Sequence, residues 1–297
     1  MTHLTYLEAA VVGLIQGVTE LFPVSSLGHS VLIPALLGWD DLVKAQSASE
    51  SFYLAFLVSL HVATAIALFI YFRREWYAII GDLARSARAK RVVSPDARIG
   101  LLLIVATIPA GLMGLLFEHT FRTVFAKPLA AAIFLTINGL ILLGGELLSR
   151  RRNVVRLAAA APQTTNPEPG RRLDSLSYRE ALFIGVVQIG ALFAGISRSG
   201  ITMVAGLLRG LDHEDAARFS FLLATPIIAA AGLYMIPDLL GPNGNGVRSQ
   251  IFVGAVVAGF AAYFSTRFLM RFFETKTLWP FGVYYLVAGG LCIIYFA

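Results

Sequence analysis

The chain has few charged residues and a single cysteine, and each shortage excludes a class of protein. Charged residues make up 14% of the 297 residues, whereas soluble domains carry about 25%. Because Cys292 is the only cysteine, an internal disulfide is excluded and a metal–thiolate site is not expected. No Lys or Arg precedes Lys44, so the basic start of a cleavable signal peptide is missing. We therefore expect the first apolar segment to remain in the mature protein.

Apolar residues, in contrast, are abundant and lie in long runs. Hydrophobic residues make up 57% of the chain, and the mean hydropathy is +0.73. A helix that crosses the hydrocarbon layer needs about 20 apolar residues. Six runs reach or approach that length: 52–72, 99–117, 128–148, 219–236, 251–270 and 281–296. The sequence therefore predicts an all-α polytopic membrane protein with six transmembrane helices.

Two further apolar regions, 4–38 and 176–208, are interrupted by Pro, Gly and Ser near their middles. Each would form two helices of about 12–16 residues, which are too short to span the bilayer. Irregular backbone at membrane depth is tolerated where protein or a cavity surrounds it. We therefore predict that each region is a re-entrant helical hairpin.

The two predicted hairpins are related by an internal repeat. Aligned without a gap, the first hairpin shares these residues with the second: Leu4, Tyr6, Glu8, Ala9, Gly13, Gln16, Ser25 and Gly28 with Leu176, Tyr178, Glu180, Ala181, Gly185, Gln188, Ser197 and Gly200. The repeat divides the chain into a first half, 1–149, a cytoplasmic linker, 150–175, and a second half, 176–297. Each half holds one hairpin and three spans. Since three is odd, the second half enters the membrane upside down, and the hairpin tips are expected to meet near the midplane.

The positive charge of the chain is placed at the membrane surface. The sequence pI is about 9.6, but the basic residues concentrate in 73–98 and 150–179, which two spans separate. Both segments therefore lie on one side, which the positive-inside rule assigns to the cytoplasm. This placement argues against a nucleic-acid partner. Arg198 is the exception, because it falls in the middle of the second hairpin.

The first hairpin carries polar residues around its break. Gln16 and Glu20 are four residues apart and face the same way on a helix. A proline then stops that helix, and either Ser25 or Ser26 can cap the next one. His29 follows one turn later. These side chains can converge, and an ionisable residue at membrane depth is a functional candidate by default.

The second hairpin carries Ser197, Arg198, Ser199 and Gly200 at the start of a short helix. Free backbone N–H groups at a helix start, together with hydroxyl groups and a guanidinium, favour an anion. A phosphate or diphosphate group fits this pattern best.

Structural interpretations of the same residues stay open. Ser25 and Ser197 could be helix caps only, and Gln16 could form an interhelical hydrogen bond. Glu20 could pair with Arg198 solely to join the two halves. The remaining candidates for a packing role are His29 and His61, and His61 is interpreted as structural because it stands alone on an apolar span.

The two tip motifs resemble those of the undecaprenyl-diphosphate phosphatase family, also known as the bacitracin-resistance proteins. Residues 16–29 are similar to its (Glu/Gln)-x-x-x-Glu motif followed by Pro-Val-Ser-Ser-x-Gly-His, and residues 195–200 to its Pro-Gly-Thr-Ser-Arg-Ser-Gly. The resemblance covers nearly the whole chain. Ala194 and Ile196 replace the Pro and Thr of the second motif, so position 196 is given no role.

The resemblance implies hydrolysis of undecaprenyl diphosphate to undecaprenyl phosphate and inorganic phosphate, which recycles the lipid carrier of cell-wall synthesis and confers bacitracin resistance. It also implies a bacterial cytoplasmic (inner) membrane protein and a divalent cation, Mg²⁺ or Ca²⁺. The orientation of the first hairpin favours a site open to the external or periplasmic side, while a site at the midplane could open either way. A transporter or flippase for the polyprenyl phosphate carrier is the alternative. The sequence leaves open whether the protein forms a homodimer.

The expected roles of the site residues follow from this chemistry. Glu20 and Gln16 would hold the cation, or Glu20 would act as the base instead. Ser26 is the candidate nucleophile, with Glu20 or His29 as the proton acceptor, although His29 could itself attack or activate water. The residues expected to bind the diphosphate are Gln16, Ser25, Ser197, Arg198, Ser199 and Gly200. A carrier would not need the Glu20, Ser26 and His29 cluster.

Overall fold

A computed structural model describes residues 4–39, 52–125, 127–159, 171–240 and 246–297. Within these ranges the chain is helical, without a β-strand. The helices are α1 (Tyr6–Thr19), α2 (Ser26–Leu36), α3 (Phe52–Tyr71), α4 (Arg73–Ala89), α5 (Pro95–Phe125), α6 (Pro128–Ala159), α7 (Tyr178–Gln188), α8 (Arg198–Leu207), α9 (His213–Leu240), α10 (Arg248–Phe273) and α11 (Trp279–Phe296). The predicted all-α class is confirmed.

Five of the described helices, α5, α6, α9, α10 and α11, are long and apolar enough to cross a membrane. The segment Phe56–Tyr71 of α3 passes the same test together with α4, and the two are bent by 83°. With that pair counted as one span, the number of candidate spans reaches six. The structure thus describes a multi-pass helical bundle of five or six spans.

Helix α4 replaces part of a segment that the sequence analysis treated as a basic loop, 73–98. Its side chains Ile79 and Leu83 pack beside Gly100 of α5, while Arg74 and Arg88 are exposed. The many arginines conceal this apolar stripe when only the charge is considered. A helix with one packed face and one charged face is typical of the membrane surface.

Several helices extend beyond the apolar runs that predicted them. Helix α6 continues from the apolar run through Arg150 to Ala159, so the first part of the predicted linker is helical. Residues 160–170 of that linker lie outside the described part of the chain. A helix can continue beyond the hydrocarbon layer because its backbone N–H and C=O groups bond within the helix, whichever side chains it carries.

The two hairpins begin with the same capping device. The hydroxyl of Thr5 accepts the N–H of Glu8, whose carboxylate accepts the Thr5 N–H at 2.7 Å. Ser177 and Glu180 repeat this capping box at α7, where the carboxylate accepts the Ser177 N–H at 2.8 Å. Both boxes satisfy backbone donors that a helix start leaves free. The shared glutamates of the repeat are therefore helix-starting residues.

The first helix of each hairpin packs against a long helix of the other half. Helix α1 lies on α10, and α7 lies on α5. A β-carbon added to Gly13 would stand 2.3 Å from the carbonyl oxygen of Gly254, and one added to Gly185 would stand 2.3 Å from that of Ala106. The repeated glycines thus permit the same close helix contact twice, and the two halves interlock.

Candidate functional site

The tips of the two hairpins are in direct contact. The Ser199 hydroxyl donates to the carbonyl oxygen of Phe22 at 3.3 Å, and Arg198 Nη2 donates to Glu20 Oε1 at 2.8 Å. Residues far apart in the sequence therefore form one polar cluster inside the bundle.

Glu20 is the centre of this cluster. It follows the last residue of α1 as its C-cap, and it is only 7% exposed. While Oε1 accepts the guanidinium of Arg198, Oε2 accepts the amide of Gln16 at 3.1 Å and the hydroxyl of Ser26. A buried carboxylate is stable only when it is paired and hydrogen-bonded, and Glu20 has both kinds of partner.

Ser25 and Ser26 form different hydrogen bonds. Ser25 is the N-cap of α2, where its hydroxyl accepts the N–H of Gly28 at 3.2 Å. Its φ of 66° is unusual for a residue other than glycine, and such a conformation is held only by its surroundings. Ser26, the first residue of α2, directs its hydroxyl to Glu20. The sequence left open which serine caps the helix, and the structure assigns the cap to Ser25.

His29 lies one turn into α2, and both of its ring nitrogens have other partners than Ser26. Nδ1 is 2.7 Å from the carbonyl oxygen of Ser25, so we assign the proton to Nδ1, since a carbonyl can only accept. In the neutral ring, Nε2 then accepts the hydroxyl of Tyr284 at 2.6 Å, and the two rings are stacked. The structure brings His29 to the edge of the cluster without joining it to Glu20.

His61 of α3, which the sequence analysis interpreted as structural, contacts the cluster directly. Its Nε2 is 3.4 Å from Glu20 Oε2, and its Nδ1 is 2.7 Å from the carbonyl oxygen of Leu57. With the proton of a neutral ring on Nδ1, the Nε2 lone pair would face the carboxylate. That contact is favourable only when a proton lies between the two groups. His61 is therefore part of the polar cluster and does not stand alone, and the signal for this contact was the cost of an ionisable residue in a span.

The second tip is an internally bonded turn. The Ser197 hydroxyl accepts the N–H of Gly200 at 3.1 Å as the N-cap of α8 and lies 2.9 Å from the Ser199 hydroxyl. Asn138 of α6 accepts the Ser197 N–H at 3.4 Å. Ser197, Ser199 and Gly200 thus hold the turn that carries Arg198. Neither Asn138 nor Tyr284 was singled out from the sequence, because each stands alone in an apolar span.

Nη1 of Arg198 and Oε1 of Gln16 are buried in the cluster without a hydrogen-bond partner among the described residues. A guanidinium nitrogen fits a phosphate oxygen, whereas a carbonyl oxygen fits a hard cation such as Mg²⁺ or Ca²⁺. The described residues contain no group of three or more His, Cys, Asp and Glu side chains that could hold a metal ion. A cation held by Glu20 and Gln16 would therefore need oxygens of the substrate as further ligands.

Comparison with known proteins agrees with the motifs. The family described as "Bacitracin resistance protein BacA" matches residues 9–291. The chain is 52% identical to "Undecaprenyl-diphosphatase 2" of Frankia alni, covering 100% of this chain and 99% of the relative. It is 53% identical to "Undecaprenyl-diphosphatase" of Mycolicibacterium paratuberculosis, over 99% and 98%, and 45% identical to the protein of that name from Granulibacter bethesdensis, over 98% and 97%. The chain thus belongs to the bacitracin resistance protein BacA family.

Proposed function

We propose that this protein hydrolyses undecaprenyl diphosphate to undecaprenyl phosphate and inorganic phosphate. The observation that carries the proposal is the bond from the Ser26 hydroxyl to Glu20, whose other oxygen is held by Arg198 of the second hairpin. The full-length relatives named undecaprenyl-diphosphatase support the same activity. The activity would recycle the lipid carrier of cell-wall synthesis and protect against bacitracin.

The cluster suggests a two-step reaction. Arg198 would bind the terminal phosphate through its free Nη1, and Glu20 would take the proton of Ser26. The Ser26 oxygen would then attack the terminal phosphorus, the bond from phosphorus to the bridging oxygen would break, and undecaprenyl phosphate would leave. Water would hydrolyse the phosphoserine and release inorganic phosphate. Ser26 is favoured over His29 as the attacking group because only Ser26 is bonded to Glu20.

A divalent cation, Mg²⁺ or Ca²⁺, would be held by Glu20 and Gln16. When bound, it would neutralise charge on the diphosphate oxygens. The free Oε1 of Gln16 supports this assignment. We expect chelation to stop phosphate release and Gln16→Leu to raise the cation concentration needed for half of the maximal rate, since the leucine supplies no oxygen ligand.

Aromatic side chains beside the first tip support a route for the isoprenoid tail. The ring of Phe22 stacks on Phe268, with centroids 5.8 Å apart, and meets the edge of Phe281 at 5.9 Å. Phe268 is 54% exposed on the outer surface of the bundle. An apolar path therefore leads from the polar cluster to the lipid-facing surface, and this path would bury a long hydrocarbon chain.

The membrane arrangement is part of the proposal. The exchange of α1 and α7 between the halves supports six transmembrane helices with two re-entrant hairpins in an inverted repeat, with halves 1–149 and 176–297. We place the protein in the bacterial inner membrane with the site open to the periplasmic side. The homodimer considered from the sequence stays a prediction.

The test is phosphate release from a long-chain isoprenyl diphosphate by purified protein in detergent, with Mg²⁺, Ca²⁺ or a chelator. Glu20→Ala and Arg198→Ala should abolish release, while Arg88→Ala, on the exposed side of α4, should not. Folding is checked by circular dichroism and gel filtration. An inactive wild-type protein that still binds the lipid saturably through Arg198 would favour the transporter alternative instead.

A further inference from the structure

A second cationic site lies away from the polar cluster, at the open end of the second hairpin. Its cavity, about 350 Å³ in volume, lies between the end of α6, the helix α7 and the turn that follows α8. The lining residues are Leu148, Arg151, Arg152, Phe183, Leu208 and Arg209. Half of the lining is thus arginine and half is apolar.

The three arginines have no acidic partner among the described residues. The nearest acids on α6 and α7 are already paired: Glu180 accepts Arg171 at 2.6 Å, and buried Glu146 accepts Arg150 at 2.8 Å. Asp212, three residues after Arg209, accepts the N–H of Asp215 at 2.7 Å. Three guanidinium groups around one opening repel each other unless an anion joins them. The charge of the cavity therefore calls for an anionic ligand from outside the described chain.

Two of the guanidinium groups are held in place. The guanidinium carbon of Arg209 lies 3.9 Å from the centroid of the Phe183 ring, a cation–π contact, and its Nε is buried without a hydrogen-bond partner among the described residues. Arg152 donates to the carbonyl oxygen of Leu208. Positioned guanidinium groups bind phosphate oxygens better than flexible ones because less entropy is lost on binding.

The apolar half of the cavity continues onto the outer surface of the bundle. Leu148 is 52% exposed, and its neighbours Leu147, Leu182 and Val186 are each about half exposed on the same two helices. A ligand for this site therefore needs a negative head beside a hydrocarbon chain. Inorganic phosphate is therefore not the best fit, because a bound phosphate would leave the apolar half of the cavity uncovered.

We infer that the cavity lined by Arg151, Arg152, Phe183 and Arg209 binds an anionic phospholipid of the surrounding bilayer. Its phosphate would lie among the three arginines, and an acyl chain would run along Leu148. Basic pockets between transmembrane helices bind anionic head groups in this way. The lipid would join α6 to the base of the second hairpin. This site is separate from the diphosphate-binding cluster and does not depend on the proposed activity.

The test compares phosphatidylglycerol and phosphatidylcholine with identical acyl chains by native mass spectrometry of the purified full-length protein. The variant combines Arg151→Gln, Arg152→Gln and Arg209→Gln. The matched control combines Arg74→Gln, Arg88→Gln and Arg91→Gln, which remove the same charge from exposed positions on and just after α4. Each arginine near an anionic head group contributes about a fivefold gain in binding. The first variant should therefore bind phosphatidylglycerol at least tenfold more weakly, and the control should bind it as the wild type does.

A second variant tests the cavity without removing charge, in case the triple Gln variant does not fold. Leu148→Trp keeps all three charges and narrows the cavity from an exposed position, so it should also lose the preference for phosphatidylglycerol. Equal binding of both lipids by the wild type would overturn the inference, as would unchanged binding by the triple Gln variant. Complete displacement of the lipid by millimolar inorganic phosphate would overturn it too, because the site would then recognise a free anion.

Discussion

Substitution of Ser26 tests whether its hydroxyl is the nucleophile or only a hydrogen-bond partner of Glu20. Ser26→Ala removes the only hydroxyl bonded to Glu20 in the described structure, so phosphate release should fall by a factor on the order of 10³ or more. The rate is measured with saturating isoprenyl diphosphate. Ser265→Ala, a buried serine on α10, is the matched control and should keep the wild-type rate. A Ser26→Ala protein within tenfold of the wild type would exclude Ser26 as the nucleophile.

His61 should act on the reaction by positioning Glu20. His61→Ala removes the ring 3.4 Å from Glu20 Oε2 and lets the carboxylate move, and a shift of about 1 Å in a reacting group costs roughly 10²-fold in rate. We expect kcat to fall and KM for the lipid to change little. Thr64→Ala serves as the control, since Thr64 lies one turn further on the same helix and its hydroxyl donates to the carbonyl oxygen of Leu60 within that helix. Equal rates for the two variants would remove His61 from the site.

Gly13 and Gly185 allow the close contacts between hairpin and long helix. Gly13→Ala or Gly185→Ala places a methyl group 2.3 Å from a backbone carbonyl oxygen, which backbone shifts can relieve only at a cost of about 1–3 kcal/mol. Thermal unfolding in detergent should show this loss for both variants.

Gly111→Ala is the control for these two substitutions, because an added β-carbon there meets no atom within 4 Å. It should be neutral or stabilise α5 by up to about 1 kcal/mol, since alanine favours a helix over glycine. If all three variants unfolded alike, the close contacts would not contribute to stability.

The start of α7 should be sensitive to acid. Hydrogen bonds from Arg171 lower the pKa of Glu180 from 4.5 to about 2. A carboxyl group with a lowered folded-state pKa stabilises the fold above pH 4.5 and loses that contribution as the pH falls towards 2. Glu180→Gln should therefore remove part of the acid dependence of unfolding in this window. Glu8→Gln breaks the matching capping box of α1, where no arginine bonds the glutamate in the described structure. This variant should keep the acid dependence that Glu180→Gln removes.

The topology of the whole protein predicts on which side of the membrane each loop lies. In a Cys292→Ser background, Ser249→Cys marks the predicted outer side and Arg179→Cys the inner side, and both positions are exposed. An impermeant maleimide added to intact cells should label Ser249→Cys alone, and both variants should react once the membrane is opened. Labelling of Arg179→Cys in intact cells would contradict the inverted arrangement.

The all-helical class and the polar residues of the two tips could be identified from the sequence because the bilayer simplifies the problem. An apolar run of sufficient length must form a helix, since lipid satisfies no backbone hydrogen bond. Polar residues such as Glu20 and Arg198 stand out against such a background. The capping boxes at Thr5 and Ser177 were not predicted, although the Thr/Ser-x-x-Glu spacing that recurs in both halves is a local signal for them.

Contacts between distant helices required the tertiary structure. Nothing local joins His61 to Glu20 or Tyr284 to His29, because each pair is formed by helices whose rotation and depth depend on packing against several neighbours. Ser25 caps α2 from a conformation with a φ of 66°, which the sequence does not specify. The sequence, through its apolar runs and local motifs, thus determined where the helices form and which polar residues are available for the site. The packing of the helices decided which side chains contact Glu20.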